Sequence, residues 1–380
     1  MIHLKIENVG PLEKVDLEIK RFNFFIGEQS SGKSTIAKII SYCFWTEKEI
    51  LTHPNEDHKS YFEDGAFLGQ LQDFHYLHGY FNEKSMIHYR TDFIHINVRS
   101  LECTIEKTKK QSYEREKILY IPAERGVVIK NITQTKEDNL KSFAIDFNSA
   151  ANYYDDKHRV PLLNFDIDYY QQVENNGKTV NKIYHRNTAY DISLEDGSSG
   201  LQSVVPVAVA VNFFAKHYYY KGIEDKVLDV AQVGDRRNVK NYIMDNNKWD
   251  DKSKYNMIER LLRTHRTSFV VEEPEQNLYP TTQIHLVNSI VSLCNGRRRH
   301  KLIVTTHSPY IINLLNLLIK ASEKRTTIDG ASISYDDLNA YVVRKGCIDD
   351  LKVQGEGVNL IDTSLLSEDI NAIYDQYNEL

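Results

Sequence analysis

The hydrophobic pattern of the first 26 residues is that of β-strands. Apolar residues alternate with polar ones over 2–6 and again over 15–19, and the turn-forming residues 8–11 lie between these segments. A continuous apolar run follows over 22–26. The chain is therefore predicted to begin with an antiparallel pair of strands and a third, buried strand.

Later segments alternate between strand and helix patterns. Short apolar runs typical of buried strands occupy 117–121, 268–271, 302–305 and 340–343. Apolar residues recur at helical spacing over 35–44, 198–214 and 280–294. Because strands that alternate with helices usually pair in parallel, we expect a mostly parallel sheet with helices on both faces.

The remaining segments give weaker patterns. Residues 45–116 have no clean period, so no order of elements is predicted there. Residues 135–190 are typical of helices and loops that close with a strand at 182–185, and 222–265 of a charged helical stretch. The middle of the chain is thus poorly placed by sequence alone.

Composition limits the class of protein. The chain has 380 residues, of which 41% are hydrophobic, enough for a large α/β unit with insertions. Its net charge of −6 argues against a chain that coats nucleic acid, and the basic cluster Arg297–Lys301 is more simply a solvated loop. The cysteines are widely separated, and the longest apolar stretch, 204–214, is too short to cross a bilayer. We expect a cytoplasmic protein with no membrane segment.

The strongest chemical signal follows the third strand. Residues 27–34 read Gly-Glu-Gln-Ser-Ser-Gly-Lys-Ser, between an apolar strand and a segment with helical spacing. Glycines at both ends let successive N–H groups point into one concavity, which suits a phosphate chain at a helix N-terminus. Lys33 can reach the β- and γ-phosphates, and the Ser34 hydroxyl can ligate Mg²⁺. We expect a nucleoside triphosphate to be bound by Gly27, Glu28, Gln29, Ser30, Ser31, Gly32, Lys33, Ser34 and Thr35.

A pair of carboxylates follows the buried strand at 268–271. Glu272 and Glu273 lie where the strand ends, and charges there are costly unless a metal or a substrate balances them. The expected roles are a ligand of Mg²⁺ for Glu272 and a general base that polarises the attacking water for Glu273. An exposed acidic turn is the alternative, but the strand-forming residues before the pair argue against it.

Two further elements complete the pattern. His307 follows the strand at 302–305, where a histidine can hydrogen-bond a γ-phosphate. Residues 197–203 read Gly-Ser-Ser-Gly-Leu-Gln-Ser at a predicted helix N-terminus, which is a second place for an anion. On its own, His307 would be interpreted as an ordinary loop residue and residues 197–203 as a helix cap. Their positions along the chain relative to the phosphate loop and the acidic pair favour a functional role.

Together the four elements resemble the ATP-binding-cassette (ABC) ATPase head, in the branch of RecF, SMC and the ATPase half of OLD nucleases. Residues 27–34 are similar to the Walker A loop, Glu272 and Glu273 to Walker B with its catalytic glutamate, and His307 to the switch histidine. The ATP-contacting signature motif is matched by Ser199, Gly200 and Gln202. The resemblance implies an α/β P-loop NTPase of ABC-ATPase type that hydrolyses ATP with Mg²⁺ through Lys33, Glu273 and His307.

The chain also departs from the ABC pattern. Glu272 stands where the broader class usually has aspartate, and Leu201 where the signature usually has a second glycine. No Q-loop glutamine is obvious; Glu124 or Arg125, after the strand at 117–121, could take its place, or could form an ordinary surface ion pair. The segments around Walker A and Walker B are similar to bacterial OLD-like ATPases, many of which belong to anti-phage systems.

The resemblance divides the chain into four parts. Residues 1–125 would form the first half of ATPase lobe I, with an antiparallel N-terminal β-subdomain and Walker A. Residues 126–260 would form a helical lobe II that carries the signature motif. Residues 261–350 would complete lobe I, and 351–380 would form a C-terminal helical tail.

The implied function is that of an ATPase subunit. Two such heads close around ATP, with the signature motif of one over the Walker A loop of the other, so we expect a homodimer or a higher oligomer. The residues after 350 are too few for the TOPRIM nuclease of OLD enzymes, which predicts a separate effector, such as a nuclease or toxin, in anti-phage defence. A RecF-like DNA-repair ATPase and a slow ATP-binding scaffold that sequesters a toxic partner are the alternatives.

Overall fold

A computed structural model of the chain describes residues 1–53, 58–61, 63–110, 112–130, 138–220, 230–355 and 358–379. The strands are β1 Ile2–Val9, β2 Leu12–Ile19, β3 Phe22–Ile26, β4 Met86–Arg90, β5 Ile94–Arg99, β6 Glu102–Lys107, β7 Glu116–Ile121, β8 Val160–Pro161, β9 Ile167–Val173, β10 Thr179–His185, β11 Tyr190–Ser193, β12 Arg266–Glu272, β13 Lys301–Thr306, β14 Leu338–Arg344, β15 Cys347–Asp350, β16 Lys352–Gly355 and β17 Val358–Ile361. The α-helices are α1 Lys33–Thr52, α2 Ala66–His75, α3 Asp138–Ala151, α4 Ser199–Asn212, α5 Val230–Met244, α6 Asp251–Leu262, α7 Pro280–Cys294, α8 Pro309–Glu323 and α9 Glu368–Glu379.

One mixed sheet organises the described part of the chain, in the order β6-β5-β4-β1-β2-β15-β14-β3-β13-β12-β7. Strands β14, β3, β13, β12 and β7 pair in parallel. Strands β6, β5, β4, β1 and β2 form an antiparallel wing, and β15 joins the two halves. The α/β fold and the antiparallel N-terminal β-subdomain are confirmed. The antiparallel wing is as wide as the parallel part, so the sheet is mixed rather than mostly parallel.

Both faces of the parallel strands are buried. Phe24 and Val304 belong to a core shared with α4, α7 and α8, while their neighbours Phe25 and Ile303 belong to a core shared with α1. Successive residues of a strand point to opposite faces, so a strand covered on both sides needs an unbroken apolar run. This is the pattern that marks these strands in the sequence. None of the helices in the described ranges is both long and apolar enough to cross a lipid bilayer.

The segment at 135–190 holds more strand than its pattern predicts. After α3, strands β8 to β11 form an antiparallel sheet in the order β11-β10-β9-β8. The strand predicted at 182–185 is the end of β10, whose residues are mostly half-buried and so give little hydrophobic signal. The helical content predicted for 126–260 is therefore corrected, because this segment holds helices together with an antiparallel sheet.

Three other regions complete the fold. Residues 45–116, for which no order is predicted, contribute α2 and the wing strands β4 to β6. Of the predicted helical stretch at 222–265, residues 222–229 lie outside the described residues and the rest forms α5 and α6. Residues 351–380, predicted as a helical tail, begin instead with the hairpin β16–β17 before α9. The division into four domains itself stays a prediction.

Candidate nucleotide-binding site

Three parallel strands end side by side and bring predicted site residues together. The last residues of β3 and β12 both pair with the end of β13. Because the carboxyl ends of parallel strands meet at one edge, the loops that follow them face the same space. These loops carry residues 27–34, Glu273 and His307, and Glu272 is the last residue of β12.

The loop at 27–34 closes on itself through Lys33. The Lys33 ammonium donates to the carbonyl oxygens of Gly27 at 3.0 Å and of Glu28 at 2.6 Å, and lies 3.4 Å from Oγ of Ser31. Burial lowers the pKa of Lys33, and the nearby carboxylates of the site oppose this shift. Phosphate oxygens are stronger acceptors than these carbonyls, so a bound phosphate chain can replace them.

Gly32 lets the loop turn into helix α1. Its φ is +105°, and a Cβ atom there would lie 2.3 Å from Cδ2 of Leu12. Glycine alone fits both the left-handed backbone and this close approach. Helix α1 begins at Lys33, so Ser34 and Thr35 stand in its first turn, where free N–H groups and the helix dipole favour an anion.

A cleft of about 690 Å³ opens beside this loop. It is lined by residues of the loop, by His307 and Pro309, and on its far side by the end of β14 with Leu365 and Leu366. Its volume lies in the range of clefts that bind small molecules in proteins. The cleft joins the phosphate loop to the histidine loop.

Glu272 is buried at the edge of this site. Its side chain is 4% exposed, and its Oε1 accepts no hydrogen bond from the residues that the structure describes. Burial raises the pKa of Glu272, whereas the charge of Lys38 and the hydroxyls of Tyr120 and Ser34 act in the opposite direction. A buried carboxylate oxygen without a partner is costly, and a carboxylate beside a hydroxyl is a donor set that Mg²⁺ accepts. These residues fit a magnesium ion.

Glu273 and His307 are in direct contact. Oε1 of Glu273 lies 3.3 Å from Nε2 of His307, and both side chains are partly exposed. Glu273 has a φ of 43°, in the left-handed region that residues with a side chain adopt at a cost. Its N–H donates to the carbonyl of Thr305 at 2.9 Å. This backbone conformation holds the carboxylate beside the histidine.

Glu275 supports the histidine loop, although the sequence pattern does not single it out. Its Oε1 accepts a hydrogen bond from the backbone N–H of His307 at 2.5 Å. Burial raises the pKa of Glu275, and this hydrogen bond works against the shift. Because the partner is a backbone group on another strand loop, no motif or spacing marks the role of Glu275 in the sequence.

Arg125 lies beneath the acidic pair. Its Nε donates to the carbonyl of Ser203 at 2.9 Å, and its Nη1 and Nη2 donate to the carbonyls of Glu272 and Glu273 at 2.8 Å each. Burial lowers the pKa of Arg125 to about 10, which leaves it charged at neutral pH. The side chain is 0% exposed, so the surface ion pair is wrong for Arg125; Glu124 is exposed.

The signature-like segment begins helix α4. Oγ of Ser198 accepts from the N–H of Leu201, and Ser199 is exposed. The Gln202 amide donates to two carbonyls of the preceding loop, at 2.9 and 3.0 Å. These bonds fix the shape of the loop and leave its exposed serine at the surface.

This segment lines a second cleft, of about 550 Å³. Gly200 and Leu201 form part of its wall together with Leu278 and Tyr279. In the described part of the chain, the two clefts have no lining residue in common. The structure thus brings the Walker-like residues and His307 together at one edge of the sheet, while the signature-like Gly200 lines a different cleft from the phosphate loop.

The basic cluster Arg297–Lys301 is largely engaged within the fold. The Arg298 guanidinium lies 3.9 Å from the centroid of an aromatic ring, and His300 is buried. The Lys301 ammonium pairs with Glu116 at 2.9 Å. The prediction of a solvated loop is wrong for these three residues.

The strand, phosphate loop and helix at the carboxyl edge of parallel strands, beside two acidic residues, define an α/β P-loop NTPase fold. A family model described as "AAA domain, putative AbiEii toxin, Type IV TA system" matches residues 22–313. The chain belongs to this family.

The other comparisons give little sequence similarity for the proteins named here. No curated protein matches the chain. The SMC head domain from Thermotoga maritima is 10% identical, with 93% of this chain and 98% of that chain covered and a TM-score of 0.38. The ATP-binding cassette MJ0796, as a dimer in a post-hydrolysis state with ADP and Pi, is 12% identical, with 93% and 99% covered and a TM-score of 0.29. The classification therefore depends on the family match and on the site.

Proposed function

We propose that this chain is an ATP-hydrolysing subunit of ABC type that dimerises around ATP and gates a separate effector protein. The observation that carries the proposal is the contact between Glu273 and His307, 3.3 Å apart at one edge of the nucleotide cleft. A carboxylate in reach of a histidine, beside a phosphate loop, is an arrangement that can activate water against a γ-phosphate.

Each residue of the site has a distinct task in this proposal. Phosphate oxygens of ATP take over the bonds that Lys33 now gives to loop carbonyls. Ser34 and Glu272 hold Mg²⁺, which neutralises phosphate charge when bound. The Glu273 carboxylate accepts the proton of the attacking water, while Nε2 of His307 donates to the carboxylate or to the γ-phosphate.

A second copy of the chain completes the site. The signature-like residues Ser199 and Gly200 lie outside the nucleotide cleft of their own chain, and Ser199 is exposed. In a head-to-head dimer they would meet the γ-phosphate bound by the partner, where N–H groups at a helix start suit an anion. Gln202 would act by shaping this loop, since its amide is bonded to the loop.

The effector is proposed from the family and from the motifs. The family description names a toxin of a type IV toxin–antitoxin system, and the Walker segments resemble OLD-like ATPases of anti-phage defence. We infer a separate nuclease or toxin as the partner. The RecF-like alternative has less support, because much of the basic cluster is engaged within the fold. Turnover measured with and without a partner recovered from the native host separates gating from a storage scaffold.

The test uses Glu273→Gln, which keeps the size of the side chain and removes its basicity. We expect ATP hydrolysis to fall roughly a hundredfold or more, because a general base contributes about that much. The variant should accumulate as a dimer in ATP and Mg²⁺, measured by sedimentation, and be monomeric without nucleotide. Glu102→Gln on the exposed strand β6 is the matched control and should behave as the wild type.

Two results would overturn the proposal. One is hydrolysis by Glu273→Gln at the wild-type rate, which would remove Glu273 from the chemistry. The other is a wild-type chain that binds ATP but stays monomeric in the presence of ATP and Mg²⁺, with the Gln variant equally monomeric.

A further inference from the structure

Arg125 connects the signature helix to the backbone of the acidic pair. Its guanidinium reaches Ser203 in helix α4 on one side and Glu272 and Glu273 on the other. Its Nη1 also lies 3.4 Å from the carbonyl oxygen of Pro122. One side chain thus holds three segments that are distant in the sequence.

The partners of Arg125 are unusual for a buried charge. The hydrogen bonds described above all go to backbone carbonyls, although the nearby carboxylates of Glu275, Glu273 and Glu272 raise the pKa of Arg125 against the effect of burial. Burying a guanidinium carries a large desolvation penalty, which an apolar residue of similar volume would avoid. A rigid fork of donors, however, can fix several carbonyls at once, which an apolar residue cannot.

One of these carbonyls belongs to Glu273, whose backbone is strained. Glu273 has a φ of 43°, and two hydrogen bonds hold its peptide groups: its N–H to Thr305 and its carbonyl to Arg125. A strained backbone persists only where its surroundings determine it. The position of the Glu273 carboxylate therefore depends on Arg125, and the position of Arg125 depends on helix α4.

We propose that Arg125 is a positioning residue that couples helix α4 to the Glu273 carboxylate. Helix α4 begins with the residues that would meet the partner's ATP. When these residues bind that ATP, a shift of α4 would move the Arg125 guanidinium and, through it, the Glu273 carboxylate. Arg125 contacts no nucleotide in this scheme and acts on the rate of hydrolysis rather than on binding. The inference rests on the proposed ATPase function and adds the link between its two half-sites.

The experiment compares Arg125→Lys and Arg125→Gln with the wild type. Lysine keeps the charge but cannot span the carbonyls of Ser203, Glu272 and Glu273, so we expect kcat to fall roughly tenfold in Arg125→Lys and further in Arg125→Gln. The affinity for a fluorescent ATP analogue should stay within about twofold in both variants, because Arg125 contacts no nucleotide in the proposal and affects only the rate of hydrolysis. ATP-dependent dimerisation should persist.

Arg21→Lys is the matched control. The Arg21 guanidinium also donates to backbone carbonyls, those of His300 and Cys294, but it lies at the opposite end of β3 from the phosphate loop. Both lysine variants lose hydrogen bonds from a guanidinium to backbone carbonyls, so both should lower the Tm. Only Arg125→Lys should lower kcat, since only Arg125 holds the peptide group of Glu273.

Each alternative outcome has its own meaning. A kcat of Arg125→Lys equal to that of the wild type would overturn the inference and leave the ATPase function standing. A loss of nucleotide affinity as large as the loss of kcat would make Arg125 a binding residue and overturn it as well. Absence of turnover in the wild type would overturn the proposed function, and this inference with it.

Discussion

At the scale of the residue, the site is built from charges buried against backbone groups. Lys33 donates to loop carbonyls and Arg125 to carbonyls of three segments, while Oε1 of Glu272 has no hydrogen-bond partner within the described ranges. A buried charge is stable only when a partner answers it, so an orphaned carboxylate oxygen marks the place where a cation lowers the free energy. This is why Glu272 is the residue whose behaviour should depend most on metal and pH.

Protons and Mg²⁺ should compete for Glu272. Because burial raises the pKa of Glu272 in the metal-free protein, its carboxyl takes up a proton at a higher pH than an exposed glutamate does. The Mg²⁺ concentration for half-maximal hydrolysis should therefore rise as the pH falls through the raised pKa of Glu272. Glu272→Gln should need roughly tenfold more Mg²⁺ and lose most of this pH dependence. Mg²⁺ titrations of the ATPase rate at several pH values measure the half-maximal Mg²⁺ concentration and its pH dependence. An unchanged pH dependence in Glu272→Gln would contradict the proposal that Glu272 binds Mg²⁺.

The residues of the site divide into those that spacing reveals and those that only the fold reveals. The phosphate loop, Glu272, Glu273 and His307 follow apolar strands, and a strand end is visible in a sequence. Arg125 could be named from the sequence only as a possible replacement for the Q-loop glutamine, and Glu275 not at all, because both act on backbone groups of distant segments. The sequence therefore predicts the candidate site residues at strand ends, but not the hydrogen bonds that hold them in place.

At the scale of the element, helix α1 joins the phosphate loop to the antiparallel wing. Its first turn carries Lys33 and Ser34, and further along Glu47 accepts hydrogen bonds from Tyr89 and Thr91 at 2.6 Å each. The wing was hidden in the sequence, although Ile94 and its alternate neighbours in β5 are all buried. Alternation over six residues between polar and aromatic segments was too short a signal to order the region 45–116.

Glu47 should make the fold less stable at alkaline pH. Burial raises the pKa of Glu47 to about 7, although the hydroxyls of Tyr89 and Thr91 oppose this shift. The folded state thus favours the protonated form, so this contribution to stability is complete below about pH 4.5 and is lost as the pH rises through about 7. Glu47→Gln, which resembles the protonated form, should raise the free energy of unfolding at pH 8 by up to roughly 3 kcal/mol and change it little at pH 4.5.

Urea unfolding at both pH values measures this difference, and Glu102→Gln serves as the control for loss of one negative charge. Residue 102 lies on β6 and is exposed, so its substitution should change stability by less than about 0.5 kcal/mol at either pH. Equal destabilisation by Glu47→Gln at pH 8 and at pH 4.5 would show that packing, and not ionisation, decides its effect.

The turn from the phosphate loop into α1 should tolerate no side chain. In Gly32→Ala the Cβ atom would lie 2.3 Å from Leu12 in a backbone with φ +105°. The loop must therefore move, and ATP affinity should fall by at least about tenfold.

Gly69→Ala is the control, because this glycine lies inside α2 and a Cβ atom there meets nothing within 4 Å. It should stabilise the protein by about 0.5–1 kcal/mol and leave ATP binding unchanged. Calorimetry and nucleotide titration distinguish the two; tight ATP binding by Gly32→Ala would refute the loop geometry.

At the scale of the whole molecule, the proposed function divides the ATP site between two places on the chain. Residues of the phosphate loop and His307 line one cleft, and the start of α4 lines another. A site split in this way is complete only when two copies exchange halves, which a two-fold dimer does symmetrically. The proposed dimer therefore makes a prediction that no monomeric enzyme shares.

Two inactive variants should restore activity when they are mixed. Lys33→Ala disables the phosphate loop, and Ser199→Arg blocks the signature-like face, so each variant alone forms no working site. In a mixed dimer, the phosphate loop of the Ser199→Arg chain meets the intact α4 of the Lys33→Ala chain. An equal mixture should then recover up to about a quarter of the wild-type rate, because half of the dimers are mixed and each has one working site of two.

The control is a mixture of Lys33→Ala with Glu273→Gln. Both substitutions fall in the same proposed half-site, so in a mixed dimer each site lacks either Lys33 or Glu273 and should stay inactive. Each variant must first show the wild-type Tm, so that unfolding does not explain its inactivity. Recovery in the first mixture and none in the second identifies a site shared between copies. No recovery in either, with all three variants folded, would mean that each chain carries its whole site and that the start of α4 serves another purpose.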